Sequence, residues 1–440
     1  MPVKTISLLL ASEAATLKYI RLHSNIPVPE DNDVGVPYIL MSKADGIPLA
    51  DKWKPNTSTR DNRLTQSQME GVVCQLGVIT EALSRLTFDQ AGSIIEEGGE
   101  FLTTTCLTRG LLLDQRYAMG DIPRGPFKSE TDYYIAHQSA YFEHVQCYPL
   151  RSHCFLAPNP TQEDYYCTHT GFLKALIWWS DFVTVGMKIN GSENRVDYVI
   201  AGEVVLDRLR DQTRSFSNSL SNGCQRSFAL HHPDLNVDNI FVDKDFKITC
   251  LINWQFCSTV PFTTLLIPPG LPQSWDELDD SFSSMFKRGF EHALQVNTAA
   301  RDVGTKSALC EILNKSRPMW LFDRLLNLNS LADLHLFQTA WDLIDDSTQS
   351  VEELLHSQQA LQKYKKLHSE LRKYDKTESK IALKESRHFR NDTERLAIAR
   401  KLTLVSEWSS RFHEPVLRKN GGAFVADKRL WKWMLEALKN

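Results

Sequence analysis

The sequence lacks the features by which several classes of protein are recognised. No apolar run approaches the roughly 18 residues that a membrane-spanning helix needs, so we expect no transmembrane segment. The nine cysteines include no CxxC pair, which favours buried thiols in a reducing compartment over a zinc site or a disulfide framework. The net charge is only −4, so nothing in the composition indicates a nucleic-acid partner.

The first residues also lack a recognisable targeting signal. They contain a short apolar stretch at residues 6–11, which no small-residue cleavage site follows, and Arg21 is the one arginine among the first 25 residues. A signal peptide needs such a site, and a mitochondrial presequence is rich in arginine and serine. We therefore predict that this segment belongs to the fold.

Hydrophobic periodicity and turn residues divide the chain coarsely. Apolar residues at three- and four-residue steps predict helices over residues 11–23, with Ser12 as the N-cap, and over residues 65–86. A β-rich run at 36–41 predicts a strand, and two runs on either side of Lys244 and Asp245 predict a hairpin. Further helices are expected at 171–188, at 198–216, after Pro272, and through the charge-dense region 347–440.

The residues that point to chemistry lie in and after a polar loop. His232 and Asp234 are followed five residues later by Asn239, and a predicted hairpin leads to position 253. Phosphoryl transfer needs a carboxylate that accepts the proton of the incoming hydroxyl, and oxygen ligands for the metal that bridges the nucleotide phosphates. Asp234 suits the first role, His232 can orient the loop, and the amide oxygen of Asn239 suits the second role.

These residues carry a resemblance to a known family. HPDLNVDN followed by FVDKDFKITCLINW resembles the H-x-D-x-x-x-x-N loop and the hairpin-to-IDW signature of the aminoglycoside phosphotransferase and choline kinase group. Within that group the chain is similar to fungal kinase-like proteins of the altered inheritance of mitochondria type, through PDLNVDNIFVD and through SEAATLKYIR, IPVPE and VGVPYILM. The resemblance covers residues 12–275, and residues 276–440 share only helical texture.

The resemblance implies a fold and a location. The fold class would be α+β, a protein-kinase-like two-lobed fold with a truncated small β lobe and a large, mostly helical C-lobe. Residues 1–45 would form a partial N-lobe, residues 46–275 a C-lobe with its catalytic loop at 230–254, and residues 276–440 a helical extension. The location would be the mitochondrion, with the cytoplasm as the alternative.

The resemblance also implies roles for residues of the loop and hairpin. Asp234 would be the catalytic base, with His232 beside it, and Asn239 and the residue at position 253 would bind Mg²⁺. ATP and Mg²⁺ would be the cofactors, and the acceptor would be a hydroxyl of an unknown small molecule or protein.

Residues near the N-terminus would hold the nucleotide. Glu13 would lie on the small-lobe helix that pairs with a phosphate-binding lysine, whereas its residue type alone favours a solvated carboxylate in a first helical turn. The backbone around Met41, Ser42 and Ala44 would face the adenine.

The sequence departs from the family signature at two places. Asn253 stands where the signature has aspartate, and losing a full charge beside a divalent ion costs several kcal/mol at an effective dielectric constant of about 20. Asp243 and Asp245 lie on the hairpin turn and are expected to point away. Only 12 residues precede Glu13 and the first glycine is Gly35, so we expect a pared-down small lobe or a missing start.

The sequence is compatible with three functions. The first is an ATP-dependent phosphotransferase that uses Asp234, with activity impaired by Asn253. The second is a pseudokinase that acts as a binding or scaffold module linked to mitochondria. The third, a truncated version of an active enzyme, would still leave Asn253 unexplained.

Overall fold

A computed structural model describes most of the chain. It covers residues 1–33, 39–53, 64–148, 150, 152–153, 186–187, 192–217, 228–272, 274, 276–296, 301–328, 333–345 and 349–375. The first half of the predicted strand at 36–41, nearly all of the predicted helix at 171–188, and the tail from 376 to 440 lie outside these residues. Residues 39–41 form a strand as predicted, whereas residues 186–187, within the predicted helix, form a strand. No described helix is long and apolar enough to cross a membrane.

The architecture mixes helices with small antiparallel sheets, so the predicted α+β class is confirmed. The α-helices, in chain order α1 to α13, are Val3–His23, Gln66–Ser84, Arg109–Leu112, Glu130–Cys147, Ser192–Ala201, Asp207–Ser217, Phe262–Leu265, Asp280–Val296, Val303–Asn314, Arg317–Leu326, Asp333–Ile344, Val351–Gln359 and Gln362–Leu371. The strands β1 to β12 are Asp31–Asp33, Ile39–Met41, Ile47–Pro48, Thr87–Phe88, Ser93–Glu97, Glu100–Thr104, Ser152–His153, Gly186–Met187, Phe228–His231, Ile240–Val242, Ile248–Leu251 and Ser258–Val260.

The chain divides into two compact units. The first contains Met1–Ala140 and Arg210–Asp323, and the second contains Tyr141–Leu209 and Arg324–Asn440. The boundaries expected from the resemblance, at residues 45 and 275, both fall inside the first unit. The division into kinase lobes therefore stays a prediction.

Helix α1 begins earlier than predicted. It starts at Val3 after Pro2 and runs to His23, so it includes the apolar stretch before residue 11. Neither proline nor glycine interrupts it, and Leu9 is buried. The prediction that Ser12 caps the helix is wrong, because Ser12 is a buried residue in the middle of the helix, where backbone N–H groups are already paired.

Helix α2 agrees with its prediction and packs closely on α8. Thr65 caps it, since its hydroxyl accepts the Gln68 N–H while the Gln68 side chain accepts the Thr65 N–H. The two helices meet at glycines, and a Cβ at Gly289 would lie 1.9 Å from the carbonyl oxygen of Cys74. At Gly77 it would lie 2.1 Å from that of Phe286.

Two three-stranded sheets of the first unit position the polar loop. One has the order β11-β10-β3 and the other the order β12-β9-β4, with neighbouring strands antiparallel. The predicted hairpin is confirmed as β10 and β11, with Ile240 opposite Leu251. Its turn is closed by the Asp243 carboxylate, which accepts the N–H groups of Asp245 and Lys247 at 2.8 and 2.9 Å. The loop with Asp234 thus runs between β9 and β10.

The described part of the second unit is mainly helical. Helix α5 packs against α12 and α13, and a π-helical turn, Gly202–Leu206, links α5 to α6. Glu203 in that turn accepts hydrogen bonds from Lys363 and Tyr364, both at 2.7 Å. This agrees with the helices predicted for residues 198–216 and, among the described residues, for the chain after Pro272.

Candidate functional site

A single histidine ties the loop to the end of the hairpin. His232 Nδ1 accepts the backbone N–H of Asp234 at 3.1 Å, so the ring proton lies on Nε2, which donates to the carbonyl of Ile252 at 2.9 Å. The ring also meets the edge of Trp254 at a centroid distance of 4.5 Å. Burial lowers the pKa of His232 to about 4, and the ring is therefore neutral. The predicted orienting role of His232 fits this geometry.

The carboxylate of Asp234 is surrounded by donors. Its Oδ1 accepts the Asn236 amide at 3.1 Å. Its Oδ2 accepts Arg109 Nη2 at 2.9 Å, Asn239 Nδ2 at 3.3 Å and Asn253 Nδ2 at 3.4 Å. The predicted convergence of Asp234, Asn239 and Asn253 is therefore present in the fold, while their functional roles stay predictions.

The pKa of Asp234 reflects opposing effects. Burial alone would raise it, but the charge of Arg109 and hydrogen bonds from Ser274 and Arg109 together hold it below its ordinary value. The side chain is ionised at neutral pH. An ionised carboxylate with a lowered pKa and an arginine partner is a weak general base, because its pKa lies well below neutral pH.

Internal hydrogen bonds hold the loop in shape. Asn236 Oδ1 accepts the N–H groups of Asp238 and Asn239 at 2.9 and 3.2 Å, an Asx-type turn. Asn239 Nδ2 also donates to the carbonyl of Asp234 at 2.8 Å. At the end of the hairpin, Asn253 has φ +63°, a left-handed conformation that asparagine and aspartate adopt more readily than other side chains.

Glu13 belongs to the same region of the fold. It is 8% exposed on α1, and its carboxylate accepts the backbone N–H groups of Trp254 and Gln255, directly after Asn253. Burial raises the pKa of Glu13, and these two hydrogen bonds lower it only in part. The alternative of a solvated first-turn carboxylate is wrong. No lysine pairs with Glu13 among the described residues, so it anchors the backbone after Asn253 instead.

The candidate adenine segment lies apart from the described hydrogen bonds of Asp234. Met41 is exposed, and Ser42 is tied to Glu30, whose carbonyl accepts the Ser42 N–H at 2.7 Å and whose N–H donates to the Ser42 hydroxyl at 2.9 Å. Ala44 precedes Gly46, where the chain turns into β3. Six residues after Ala44, the N–H of Ala50 donates to the carbonyl of Val237 at 3.0 Å. This hydrogen bond connects the chain that follows the candidate adenine segment to the loop that contains Asp234.

Arg109, like Asn236 and Ser274, is a site residue that the sequence did not reveal. It begins the short helix α3, lies 125 positions before Asp234 and belongs to no motif. Its guanidinium lies 5.8 Å from the ring centroid of Phe256. Its Nε is buried without a hydrogen-bond partner among the described residues, which costs about 1–3 kcal/mol. Only the folded structure brings Arg109 to Asp234.

The donor set does not fit a resident Mg²⁺. This ion is held in proteins through one or two carboxylates together with substrate phosphates. Here the carboxylate of Asp234 is engaged by Arg109 and by amides, and Asn239 and Asn253 offer only neutral oxygens. Within the described ranges, no group of three His, Cys, Asp or Glu residues could hold a metal ion.

The cysteines near Asn253 behave as ordinary buried thiols. Cys257 donates to the carbonyl of His231 at 2.8 Å, and burial raises the pKa of Cys250 to about 11. All six cysteines that the structure describes are free, and three are buried. The prediction of buried thiols is confirmed for Cys106, Cys250 and Cys257.

Comparison with known proteins adds no identification, since no family model, no curated protein and no solved structure matches the chain.

Proposed function

We propose that this chain is a kinase-like protein of the aminoglycoside phosphotransferase and choline kinase group whose ATP-dependent transfer to a hydroxyl is strongly impaired. The observation that carries the proposal is the environment of Asp234. A loop of the expected spacing presents this carboxylate beside Asn239 and Asn253, but an arginine neutralises it. The two-lobed fold and mitochondrial residence, or cytoplasmic residence as the alternative, belong to the same proposal.

The organisation of the loop supports phosphotransferase ancestry. His232 joins the start of the loop to Ile252, and the Ile252 N–H donates back to the carbonyl of Asn239 at 3.0 Å. These contacts hold Asp234, Asn239 and Asn253 in one arrangement although the first and last are 19 residues apart. A structural turn alone would not need three polar side chains around one oxygen.

The charge balance supports impairment. A base for a hydroxyl must offer it a carboxylate oxygen with a free lone pair, whereas Oδ2 of Asp234 already accepts three donors and Oδ1 accepts the Asn236 amide. The missing carboxylate at position 253 removes the charge that would draw a divalent ion to the site. Both features weaken catalysis and leave the fold of the loop intact.

Asn253→Asp provides the direct test, because its side chain is nearly isosteric and aspartate tolerates the left-handed backbone. We expect little Mg²⁺-dependent thermal stabilisation of the wild type by ATP. In Asn253→Asp we expect an increase of several degrees, since ligand binding stabilises the folded state by mass action. Phosphate release from ATP should rise in parallel and disappear when Asp234→Ala is added.

The matched control is Asp238→Asn, an exposed carboxyl in the same loop. It should change neither nucleotide stabilisation nor turnover. Turnover that survives Asp234→Ala would refute the assignment of the base. If Asn253→Asp gains nothing with Mg²⁺ and ATP, the phosphotransferase pocket is absent, and the second candidate, a scaffold module without nucleotide chemistry, is favoured.

A further inference from the structure

Arg109 places a positive charge where a kinase-like site would need a cation. Its Nη2 lies 2.9 Å from Oδ2 of Asp234, the same oxygen that accepts the amides of Asn239 and Asn253. A guanidinium is always charged, presents five N–H donors and matches the oxygens of a phosphate in pairs. Its position adjoins the residues that the resemblance assigns to the phosphates and the metal.

The contacts of Arg109 leave donor capacity for a ligand. The contact with Asp234 uses Nη2, whereas Nε has no partner among the described residues. About a third of the side chain is exposed, at 34%, so Arg109 borders solvent although its Nε is buried. A buried N–H without an acceptor is unfavourable, and a turn of the guanidinium towards an anion would satisfy it.

We propose that Arg109, and not a divalent metal ion, is the cation with which this site binds a phosphate-bearing ligand. In the ligand-free protein the guanidinium donates a hydrogen bond to Asp234. When a phosphate group binds, the guanidinium turns towards it and donates two parallel, charge-assisted hydrogen bonds to the phosphate oxygens. After Arg109 has moved to the phosphate, four side chains still donate hydrogen bonds to the Asp234 carboxylate, namely Asn236, Asn239, Asn253 and Ser274. The inference rests on the proposed function, because the ligand class follows from the phosphotransferase-like loop.

Binding measurements without metal test the proposal. The probes are ATP, inorganic tripolyphosphate and adenosine, each titrated calorimetrically into the full chain in EDTA and again in Mg²⁺. We expect the wild type to bind ATP and tripolyphosphate in EDTA and to bind adenosine much more weakly. If tripolyphosphate binds and adenosine does not, the phosphates are the recognised group. If only ATP binds, the adenine base is required as well.

Variants of Arg109 identify the cation. Arg109→Gln should lower the affinity for both phosphate probes at least tenfold, and Arg109→Lys should recover part of it because the charge remains and the paired geometry is lost. The control is Arg317→Gln, which removes an arginine from an exposed pair with Glu277 at 2.7 Å. It changes the net charge equally and should leave affinity unchanged. Thermal melts of all variants confirm that they are folded.

Two results would overturn the inference. One is unchanged phosphate binding in a folded Arg109→Gln protein, and the other is binding by the wild type that occurs only with Mg²⁺. Mg²⁺-dependent binding would leave the proposed phosphotransferase ancestry standing. Metal-free binding that needs Arg109, together with no gain of turnover in Asn253→Asp, would instead support the role of Arg109 and count against the proposed catalysis.

Discussion

The crossing of α2 and α8 makes a stability prediction that depends on backbone geometry alone. A Cβ added at Gly289 would lie 1.9 Å from the carbonyl oxygen of Cys74 and 2.8 Å from its carbonyl carbon. Both neighbours are backbone atoms, so a change of rotamer cannot relieve the overlap. The two helices would have to move apart by roughly an ångström in an interior that is close-packed.

The expected cost of Gly289→Ala combines two opposing effects. Alanine favours a helix over glycine by about 1 kcal/mol. Against this, overpacking a well-packed core costs about 1–3 kcal/mol and occasionally more. If the helices separate, a gap of about 0.5–1 Å opens between them, and the contacts across it lose a quarter to a half of their dispersion energy. These contacts include those of the buried side chains Phe286 and Phe290. We expect a net loss of about 2 kcal/mol or more of the unfolding free energy.

Gly71→Ala is the matched control for this measurement. Gly71 lies in α2, and apart from its two neighbours and the adjacent backbone of the helix no heavy atom lies within 4 Å of its Cβ position. Its replacement should therefore stabilise the protein by about 0.5–1 kcal/mol. Thermal unfolding followed by circular dichroism should give Gly71→Ala a higher Tm than the wild type. The Tm of Gly289→Ala should lie about 4 °C or more below that of the wild type. Equal or same-sign shifts of the two variants would refute the close approach of the helices.

Two further predictions concern protonation and helix capping. Burial lowers the pKa of His231 to about 3 and those of His137 and His232 to about 4, so near pH 5 the unfolded chain should bind about two to three more protons at these rings than the folded one. The unfolding free energy should accordingly fall as the pH drops from about 6.5 towards 4. In His137→Gln the slope of unfolding free energy against pH should decrease by the amount that corresponds to about one bound proton. An unchanged slope would contradict a neutral buried ring at His137. Thr65→Ala should cost about 1 kcal/mol in denaturant unfolding by removing the cap of α2, whereas Thr65→Ser should cost little, and equal losses would argue against the capping bond.

The parts of the fold that the sequence predicted are those with local signals. The capping pair of Thr65 and Gln68 and the apolar steps behind it define α2 within a few residues. The hairpin of β10 and β11 follows from β-branched runs around a polar turn, which Asp243 closes through bonds to its own neighbours. In each case the determining contacts lie within a few positions along the chain.

The parts that escaped prediction depend on distant contacts. Arg109 pairs with Asp234 across 125 positions, and neither its neighbours nor its spacing distinguishes it from a surface arginine. Glu13 was expected to meet a lysine, but packing of α1 places its carboxylate on the backbone after Asn253. The start of α1 was missed for another reason, because the apolar residues before Ser12 lack a stop signal and simply continue the helix.

The asparagine at position 253 and the arginine at position 109 are consistent with one another electrostatically. A carboxylate at position 253 would stand close to Oδ2 of Asp234, since the Asn253 amide nitrogen lies 3.4 Å from it. Two ionised carboxylates at such a distance repel, which raises the pKa of one of them unless a cation lies between them. With a neutral amide in that place, a single guanidinium at 2.9 Å balances the single charge of Asp234. Under the proposed phosphotransferase ancestry, Asn253 and Arg109 would therefore amount to one change, from a site organised around a metal to a site organised around an arginine. It follows that, at low ionic strength, the Asn253→Asp protein should be less stable without Mg²⁺ than with saturating Mg²⁺, because little other salt is then present to screen the added repulsion.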